Sequence, residues 1–463
     1  MPMITATQTF LDYAKLEDLS DLPAPSFAQV EKILAKAKRL KGITTEEAAL
    51  LLAVQDPAQL SLLLAAAHYI KEEIYGKRLV LFAPLYTGNF CTNDCLYCGF
   101  RRSNHSLERK RLTMDEIAQQ TSELLKQGHK RILIISGEAE NQSLEYTLEA
   151  IQTSYSVRED TARVRRINVE IAPLSLEGFR ALKKANIGTY VCFQETYNPE
   201  LYAMYHPDGP KADYRNRLYV MDRAMEGGID DVGIGALFGL GNYRYEVLAI
   251  LEHAHHLEAA FGCGPHTVSV PRIEPAKGAP LSFNPPAPVS DIDFKKLIAV
   301  IRISLPYTGI ILSTRESPAL RKEIFAYGVS QISAGSKTDP GGYSAHKEDN
   351  GQFSVGDNRT LEEVISDLID DGYIPSFCTG CYRRGRVGAD FMDLAKPGLI
   401  KEFCLPNGLV SFAEYLYDYA SPSTRQKGLA LIDAMKTTAP AKVAHVLDKA
   451  LLDTASGERD IYL

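Results

Sequence analysis

The sequence predicts an α/β chain built around a closed parallel (β/α)8 barrel of the TIM type, with an N-terminal helical extension and a helical C-terminal domain. Two observations carry this prediction. From about residue 77 to residue 336, short apolar runs alternate with amphipathic stretches, and on either side of that region the alternation is missing. Such alternation marks parallel βαβ units, and eight units in one region suggest a closed ring. A doubly wound open sheet is the other arrangement with this pattern, so closure is an expectation.

The strand-like runs are 79–84, 132–136, 167–172, 189–193, 231–235, 266–270, 309–314 and 329–333, each rich in Val, Ile, Leu, Phe or Tyr. The helices between them carry their own signals. Thr113 with Glu116 three residues on is a capping box, and Gly128 stops that helix. Ser175 opens another that ends by Gly188. Residues 1–75 contain no strand-like run, residues 76–359 form the barrel, and residues 360–463 read as a separate helical domain opened by Thr360 and Glu363.

Composition narrows the function classes. Of 463 residues, 45% are hydrophobic and 24% charged, as in ordinary soluble proteins. A formal charge of −7 argues against nucleic acid or an anionic membrane as partner. The most apolar stretch, 48–70, is broken by Gln55, Asp56, Pro57 and Gln59, so no membrane span is expected. The first residues show no secretory pattern, and the expected location is cytoplasmic. There, clustered cysteines are metal ligands more often than disulfides. The eight cysteines fall into two triads plus Cys192 and Cys263, which read as buried filler.

Cys91, Cys95 and Cys98 follow the first strand, so they sit at the C-terminal mouth, where barrel active sites are built. One loop with this spacing can wrap three corners of a [4Fe–4S] cluster, which leaves one iron without a protein ligand. A structural zinc site would use four protein ligands, and His105 does not supply the missing spacing. Polar groups end later strands at the same mouth: Ser136, Gly137 and Glu138, then Glu170, Gln194 and Glu195, then Ser313, Thr314, Arg315 and Glu316. The second triad is Cys378, Cys381 and Cys404, again without an obvious fourth ligand. Arg383, Arg384 and Arg386 beside it suit an anionic cluster or a solvated loop equally. His253, His255 and His256 read as the solvated face of an outer helix.

The CxxxCxxC spacing with Tyr97 before the last cysteine resembles the radical S-adenosylmethionine (SAM) superfamily. That resemblance implies that the open iron holds the amino and carboxylate groups of SAM, whose reductive cleavage gives methionine and a 5′-deoxyadenosyl radical. The superfamily usually has Gly-Gly-Glu after its second strand. Here Ser136-Gly137-Glu138 departs at the first position, and leaves Glu138 and the Gly137 backbone as SAM contacts. Residues 232–239 resemble the glycine-rich strand that contacts adenine, which marks Gly233 and Gly235. Tyr97, Glu170 and Glu195 complete the cofactor candidates.

The segment CTGCYRRGRVGADFMDLAKPGLIKEFCLPNGL closely resembles the CTxxCx22C tail of the HydG family, tyrosine lyases that mature [FeFe]-hydrogenase. The likeness extends over essentially the whole chain, through KRLVLFAPLYTGNFCTNDCLYCGF, GPHTVSVPRIEPA and ILSTRESPALR. It implies that the radical takes hydrogen from the tyrosine amino group and that Cα–Cβ cleavage gives p-cresol and dehydroglycine. At a second [4Fe–4S] cluster the dehydroglycine becomes CO and cyanide for the hydrogenase H-cluster. The second site also holds an extra labile iron, joined through a free amino-acid thiolate such as cysteine and ligated by a barrel histidine, here matched by His266. In related lyases an arginine in a Ser-Thr-Arg-Glu segment binds the substrate carboxylate, which marks Arg315; Tyr97 and Ser333 are further substrate candidates. The implied partners are L-tyrosine, a ferredoxin- or flavodoxin-type electron donor and other hydrogenase maturases.

His266 opens the sixth strand, at the N-terminal mouth. A six-residue strand at ~3.3 Å per residue separates the two mouths by roughly 20 Å. A tail packed beneath the barrel would bring the second triad to His266, and dehydroglycine would then cross the barrel by an internal tunnel. Two rival readings remain: a ThiH-like tyrosine lyase of the thiamine pathway, which shares the barrel and first triad but not this tail, and a non-catalytic iron–sulfur carrier.

Overall fold

The computed structural model describes residues 9–344, 351–439 and 441–463. Four helices precede the barrel: Tyr13–Ser20, Phe27–Ala37, Thr45–Leu52 and Pro57–Tyr75. Their starts are written locally. Ser26 and Thr44 close capping boxes with Gln29 and Glu47, and Asp56 caps the helix that Pro57 opens. The apolar stretch 48–70 is thereby divided between two helices. Among the described residues, no helix is long and apolar enough to cross a membrane.

Eight parallel strands close into the barrel: β1 Arg78–Gly88, β2 Arg131–Ser136, β3 Arg166–Glu170, β4 Thr189–Val191, β5 Asp231–Gly235, β6 Thr267–Ser269, β7 Gly309–Leu312 and β8 Val329–Ser333. Each pairs with the next, and β1 completes the ring by pairing with both β2 and β8. The expected closure is therefore present, and the open sheet is excluded. Side chains alternate along β1: Leu79, Leu81, Ala83 and Leu85 join the main core beneath the helices. Phe82 and Tyr86 point the other way and cluster with Leu133, Ile135 and Val191 inside the ring.

The C-terminal region is helical apart from one strand that the sequence pattern does not reveal. After helix Leu361–Asp370, capped by Thr360 and Glu363, β9 (Ile374–Ser376) pairs in parallel with Arg78–Val80 at the start of β1. Three residues containing a proline are too short for a period-two pattern, and Pro suits an edge strand. This strand matters for position. It places the following residue, Phe377, and then Cys378 at the N-terminal end of β1, beneath the barrel. Helices Gly380–Arg383 and Lys401–Asp418 then carry Cys381 and Cys404.

Candidate active site

At the C-terminal mouth, Cys91, Cys95 and Cys98 lie on the loop after β1, with Cys95 5% exposed. Gly137 lets the turn after β2 pack against this loop: a Cβ there would meet the Phe90 carbonyl, and the Gly137 N–H reaches the Gly88 oxygen at 3.1 Å. The half-buried Glu138 accepts from the Asn93 amide at 2.7 Å, and its backbone carbonyl accepts from Thr92 at 2.8 Å. Ser136 closes β2 opposite Gly88. Tyr97 is buried, and its hydroxyl stands 2.8 Å from His206 Nε2. His206 Nδ1 faces the Tyr202 carbonyl at 2.8 Å, which only accepts, so Nε2 is the acceptor for Tyr97. Burial pushes the Cys95 thiol up to about 12. A thiol so placed becomes a thiolate ligand only with a positive centre beside it.

Beside this loop opens a cavity of about 770 Å³, lined by Phe82, Leu133, Val191, Phe193 and Ile311 below and by Glu170, Ser313, Thr314 and Arg315 above. The apolar part suits an aromatic ring. Arg315 lies flat against Phe353, 3.3 Å from its ring centre, and makes no ion pair among the described residues. Its neighbour Glu316 is taken by Arg272, and Glu138 by Asn93. A half-buried guanidinium without an ion-pair partner is a ready anion site. Glu170 faces the same space, and burial together with the charge of Glu195 raises its carboxyl to about 7. Ser333 lines the cavity too, its hydroxyl accepting the Thr314 N–H at 3.1 Å.

Glu195 is held differently. Burial works against its charge, but Lys211 at 2.5 Å and Arg217 at 3.7 Å outweigh it and keep its carboxyl below the usual range. Its φ of +70° is in the left-handed region, an uncommon conformation for a non-glycine residue and a mark of functional sites. Gly233 and Gly235 do not line the mouth cavities. Gly233 packs against Thr267 and Val191 within the barrel, and Gly235 against Phe193 and the Ser269 carbonyl. Leu237, just beyond them, is the member of that segment that lines a mouth cavity with Tyr97, Cys98 and Glu195.

At the opposite mouth, His266, Cys378, Cys381 and Cys404 line one cavity of about 610 Å³ with Arg78, Arg131 and Arg386. The Gly380 N–H points to Cys378 Sγ at 3.3 Å. Arg131 donates to the Cys378 carbonyl at 3.0 Å, and Arg166 lies 3.5 Å above the Tyr382 ring. Arg78, Arg131 and Arg166 have no side-chain carboxylate partner among the described ion pairs, and Arg386 donates to the Leu463 oxygen at 3.1 Å. Burial opposes the charge of Arg78, yet the sulfurs of Cys404, Cys378 and Cys381, as thiolates, hold its affinity for the proton above normal. His266 is 12% exposed at its side chain and is confined by Phe391, whose ring centre is 4.7 Å away.

Comparison with known proteins fits this geometry. Residues 85–254 match the radical SAM superfamily, and residues 269–374 the biotin and thiamin synthesis associated domain. The 2-iminoacetate synthase of Escherichia coli (strain K12) is 30% identical over 80% of this chain and 96% of its own length. The crystal structure of HydG, a maturase of the [FeFe]-hydrogenase, superposes with a TM-score of 0.94 at 47% identity, covering 98% of this chain and all of that one. The HydG structure from Carboxydothermus hydrogenoformans gives 0.82 at 42% identity, over 95% of this chain and 96% of that one. The chain belongs to the HydG family of radical SAM proteins.

Membership in the radical SAM superfamily implies a [4Fe–4S] cluster and SAM, and the residues at the first mouth fit them. Three thiols sit on one loop, with side-chain N–H donors from Asn93 and Gln352 directed at Cys91 and Cys98. The HydG-type tail brings three thiols of its own, which meet the imidazole of the barrel residue His266 around one cationic cavity. Several of these residues escape sequence reading. Gln352, Phe353 and His206 lie in patternless loops, and no local signal marks them. The arginines do carry one, since β1, β2 and β3 each begin with arginine, which puts Arg78, Arg131 and Arg166 at the same end of a parallel barrel. The outer histidines correct the sequence reading. His253 is 2% exposed and bonded to Tyr197 at 2.9 Å, His256 pairs with Asp222 at 2.6 Å and stacks on Phe10, and His255 is half-exposed beside Glu252. Phe10, from the N-terminal extension, supplies the cover. Cys192 and Cys263 are buried.

Proposed function

We propose that this chain is a SAM-dependent tyrosine lyase that cleaves the Cα–Cβ bond of L-tyrosine to p-cresol and dehydroglycine, and that the second site turns dehydroglycine into CO and cyanide for the hydrogenase H-cluster. The observation that carries this reading is the placement of two cysteine triads at opposite mouths of one barrel. One faces an apolar cavity containing an unpaired arginine, and the other a cavity rich in arginine.

The first cluster with SAM supplies, when bound and reduced by one electron, a 5′-deoxyadenosyl radical. Cys91, Cys95 and Cys98 hold that cluster, and Tyr97, Ser136, Gly137, Glu138, Glu170 and Glu195 shape the SAM side of the mouth, with Gly233 and Gly235 packed deeper in the barrel. Arg315 takes the tyrosine carboxylate, because its guanidinium has two parallel N–H groups to offer and no carboxylate of its own. The aromatic ring packs among Phe82, Leu133, Val191 and Ile311, and Ser333 closes the polar edge. Tyr97 sits between the cluster loop and His206, which fixes its ring.

Cys378, Cys381 and Cys404 hold a second [4Fe–4S] cluster that, with a labile iron and a free cysteine thiolate, supplies the site where the product fragments gather. His266 is the protein ligand of that iron. Dehydroglycine is an anion, and Arg78, Arg131 and Arg386 offer its carboxylate a site close to the thiols. A ferredoxin- or flavodoxin-type protein is the electron donor, other hydrogenase maturases receive the product, and the cytoplasm is the working compartment. Residues 1–75, 76–359 and 360–463 act as the extension, the barrel and the auxiliary-cluster domain.

Anaerobic incubation of the reconstituted protein with SAM, tyrosine and dithionite tests this proposal. p-Cresol, CO and cyanide are expected together. p-Cresol without CO, with the second cluster intact, would favour a ThiH-like lyase. Neither product would leave a carrier of clusters or electrons. In Cys381→Ser, p-cresol formation should survive while CO is lost.

A further inference from the structure

Gln352 lies far from the cluster loop in sequence but is fastened to it. Its carbonyl accepts the N–H of Gly99, the residue after Cys98, at 3.2 Å, and its own N–H reaches the Thr338 carbonyl at 3.0 Å. Gly99 has a reason to be glycine: a Cβ there would stand 2.8 Å from the Gln352 oxygen. The Gln352 side chain is anchored at both ends of its amide. Oε1 accepts from the Tyr86 hydroxyl at 2.8 Å, and Nε2 is directed at Cys98 Sγ at 3.7 Å. Tyr86 is 3% exposed, and burial raises its hydroxyl well above the ordinary tyrosine range, so it keeps its proton and donates. An amide whose oxygen is occupied by that donor presents its N–H2 to the sulfur.

We infer that Gln352 is a positioning residue that raises the reduction potential of the first cluster through an N–H···S bond to Cys98, with Tyr86 fixing the direction of the amide. Reduction adds one electron, taken from an external low-potential donor, and makes the cluster and its thiolates more negative. A donor aimed at a cluster sulfur stabilises that reduced form more than the oxidised one, and hydrogen bonds to sulfur are an established lever on cluster potentials. Asn93 makes a similar contact to Cys91 at 3.6 Å from within the loop itself. The Gln352 contact differs in that it comes from the segment after β8 and, through Tyr86, from the wall of the large mouth cavity.

The test is an EPR-monitored redox titration of the reconstituted protein, with the second cluster as internal reference. Gln352→Leu should move the first cluster to more negative potential, so that a smaller fraction is reduced at a fixed solution potential. Gln352→Glu, which places a carboxylate against the thiolate, should move it further, and Tyr86→Phe, which frees the amide to turn, should move it less. Unchanged potentials in the two Gln352 variants with clusters intact would overturn the inference. A second measurement needs no variant. In protein labelled with 15N-glutamine, pulsed EPR of the reduced first cluster should show a 15N coupling that Gln352→Leu removes, and its absence in the labelled wild-type protein would equally count against Gln352.

Discussion

Nδ1 of His266 lies 3.5 Å from Oδ1 of Asp231, and the same carboxylate oxygen accepts the Gly388 N–H at 3.0 Å. Asp231 opens β5 and is 2% exposed, while Gly388 opens the helix Gly388–Ala395 of the C-terminal region. One buried carboxylate thus joins the barrel to the tail that carries the second triad. It also faces the nitrogen of His266 that would be left over if Nε2 served iron. Metal-bound histidines commonly donate their second N–H to a carboxylate, which fixes tautomer and ring direction.

Asp231→Asn is therefore expected to weaken iron retention at the second site by about 10- to 100-fold. p-Cresol formation should continue while CO falls. Iron content after gel filtration, set against p-cresol and CO from the same sample, checks this. Equal loss of both products would point to general unfolding instead.

Arg315→Lys should lower kcat/KM for tyrosine by roughly 30- to 1,000-fold, the equivalent of about 2–4 kcal/mol for an unpaired buried charge partner. Lysine keeps the charge but cannot offer two parallel N–H groups, and it loses the flat contact with Phe353. The measurement is p-cresol formation against tyrosine concentration. SAM cleavage without substrate should change far less, because Arg315 makes no hydrogen bond or ion pair with the cluster loop among the described residues.

The barrel is legible in the sequence because a buried parallel strand needs a continuous apolar run and its helix needs a cap, and both are local patterns. Thr113 and Glu116, and Thr360 and Glu363, form the capping boxes that their spacing implies. The cysteine triads are legible for the same reason, as fixed short spacings. What stays hidden depends on chain segments meeting at a distance. β9 has no pattern of its own and is defined by its partner, Arg78–Val80. The cover of His253 and His256 by Phe10 joins residues far apart in the chain, so a helix that looks solvated is half wrapped. Gln352 meets Cys98 in the same way.

Three buried histidines set an acid limit on the fold. Burial lowers His129, His206 and His253 to about 3, so all three are neutral in the folded protein at neutral pH. In the unfolded chain each takes up a proton near pH 6.5. Below that point the unfolded state binds more protons than the folded one, so stability falls as pH falls, down to the folded values near 3. Each group contributes roughly 1.4 kcal/mol per pH unit in that window. Denaturant midpoints measured from pH 7.5 to 5.5 should decline below about pH 6.5, and His253→Gln should flatten that decline. A profile level across this range would show that the histidines titrate in the fold as they do in the unfolded chain.

The passage between the two mouths makes the last prediction. The mouth cavity reaches down to Asn168 and Ser269, the far cavity reaches up to Val80 and Gln331, and the two share no lining residue. At this level Gly233 stands beside Thr267 on β6, and Gly309 stands beside Gln331 at the edge of the far cavity. A Cβ at Gly233 would stand 2.5 Å from Thr267 Oγ1, so even alanine narrows the space there. If dehydroglycine crosses the barrel at this level, Gly233→Ala should leave p-cresol formation near normal and lower the CO released per p-cresol. Adding Thr267→Ala to that variant removes the facing hydroxyl and should restore part of the ratio. The ratio of the two products is the proper readout, since a folding defect would reduce both together. An unchanged ratio would place the route elsewhere, or outside the barrel through solvent.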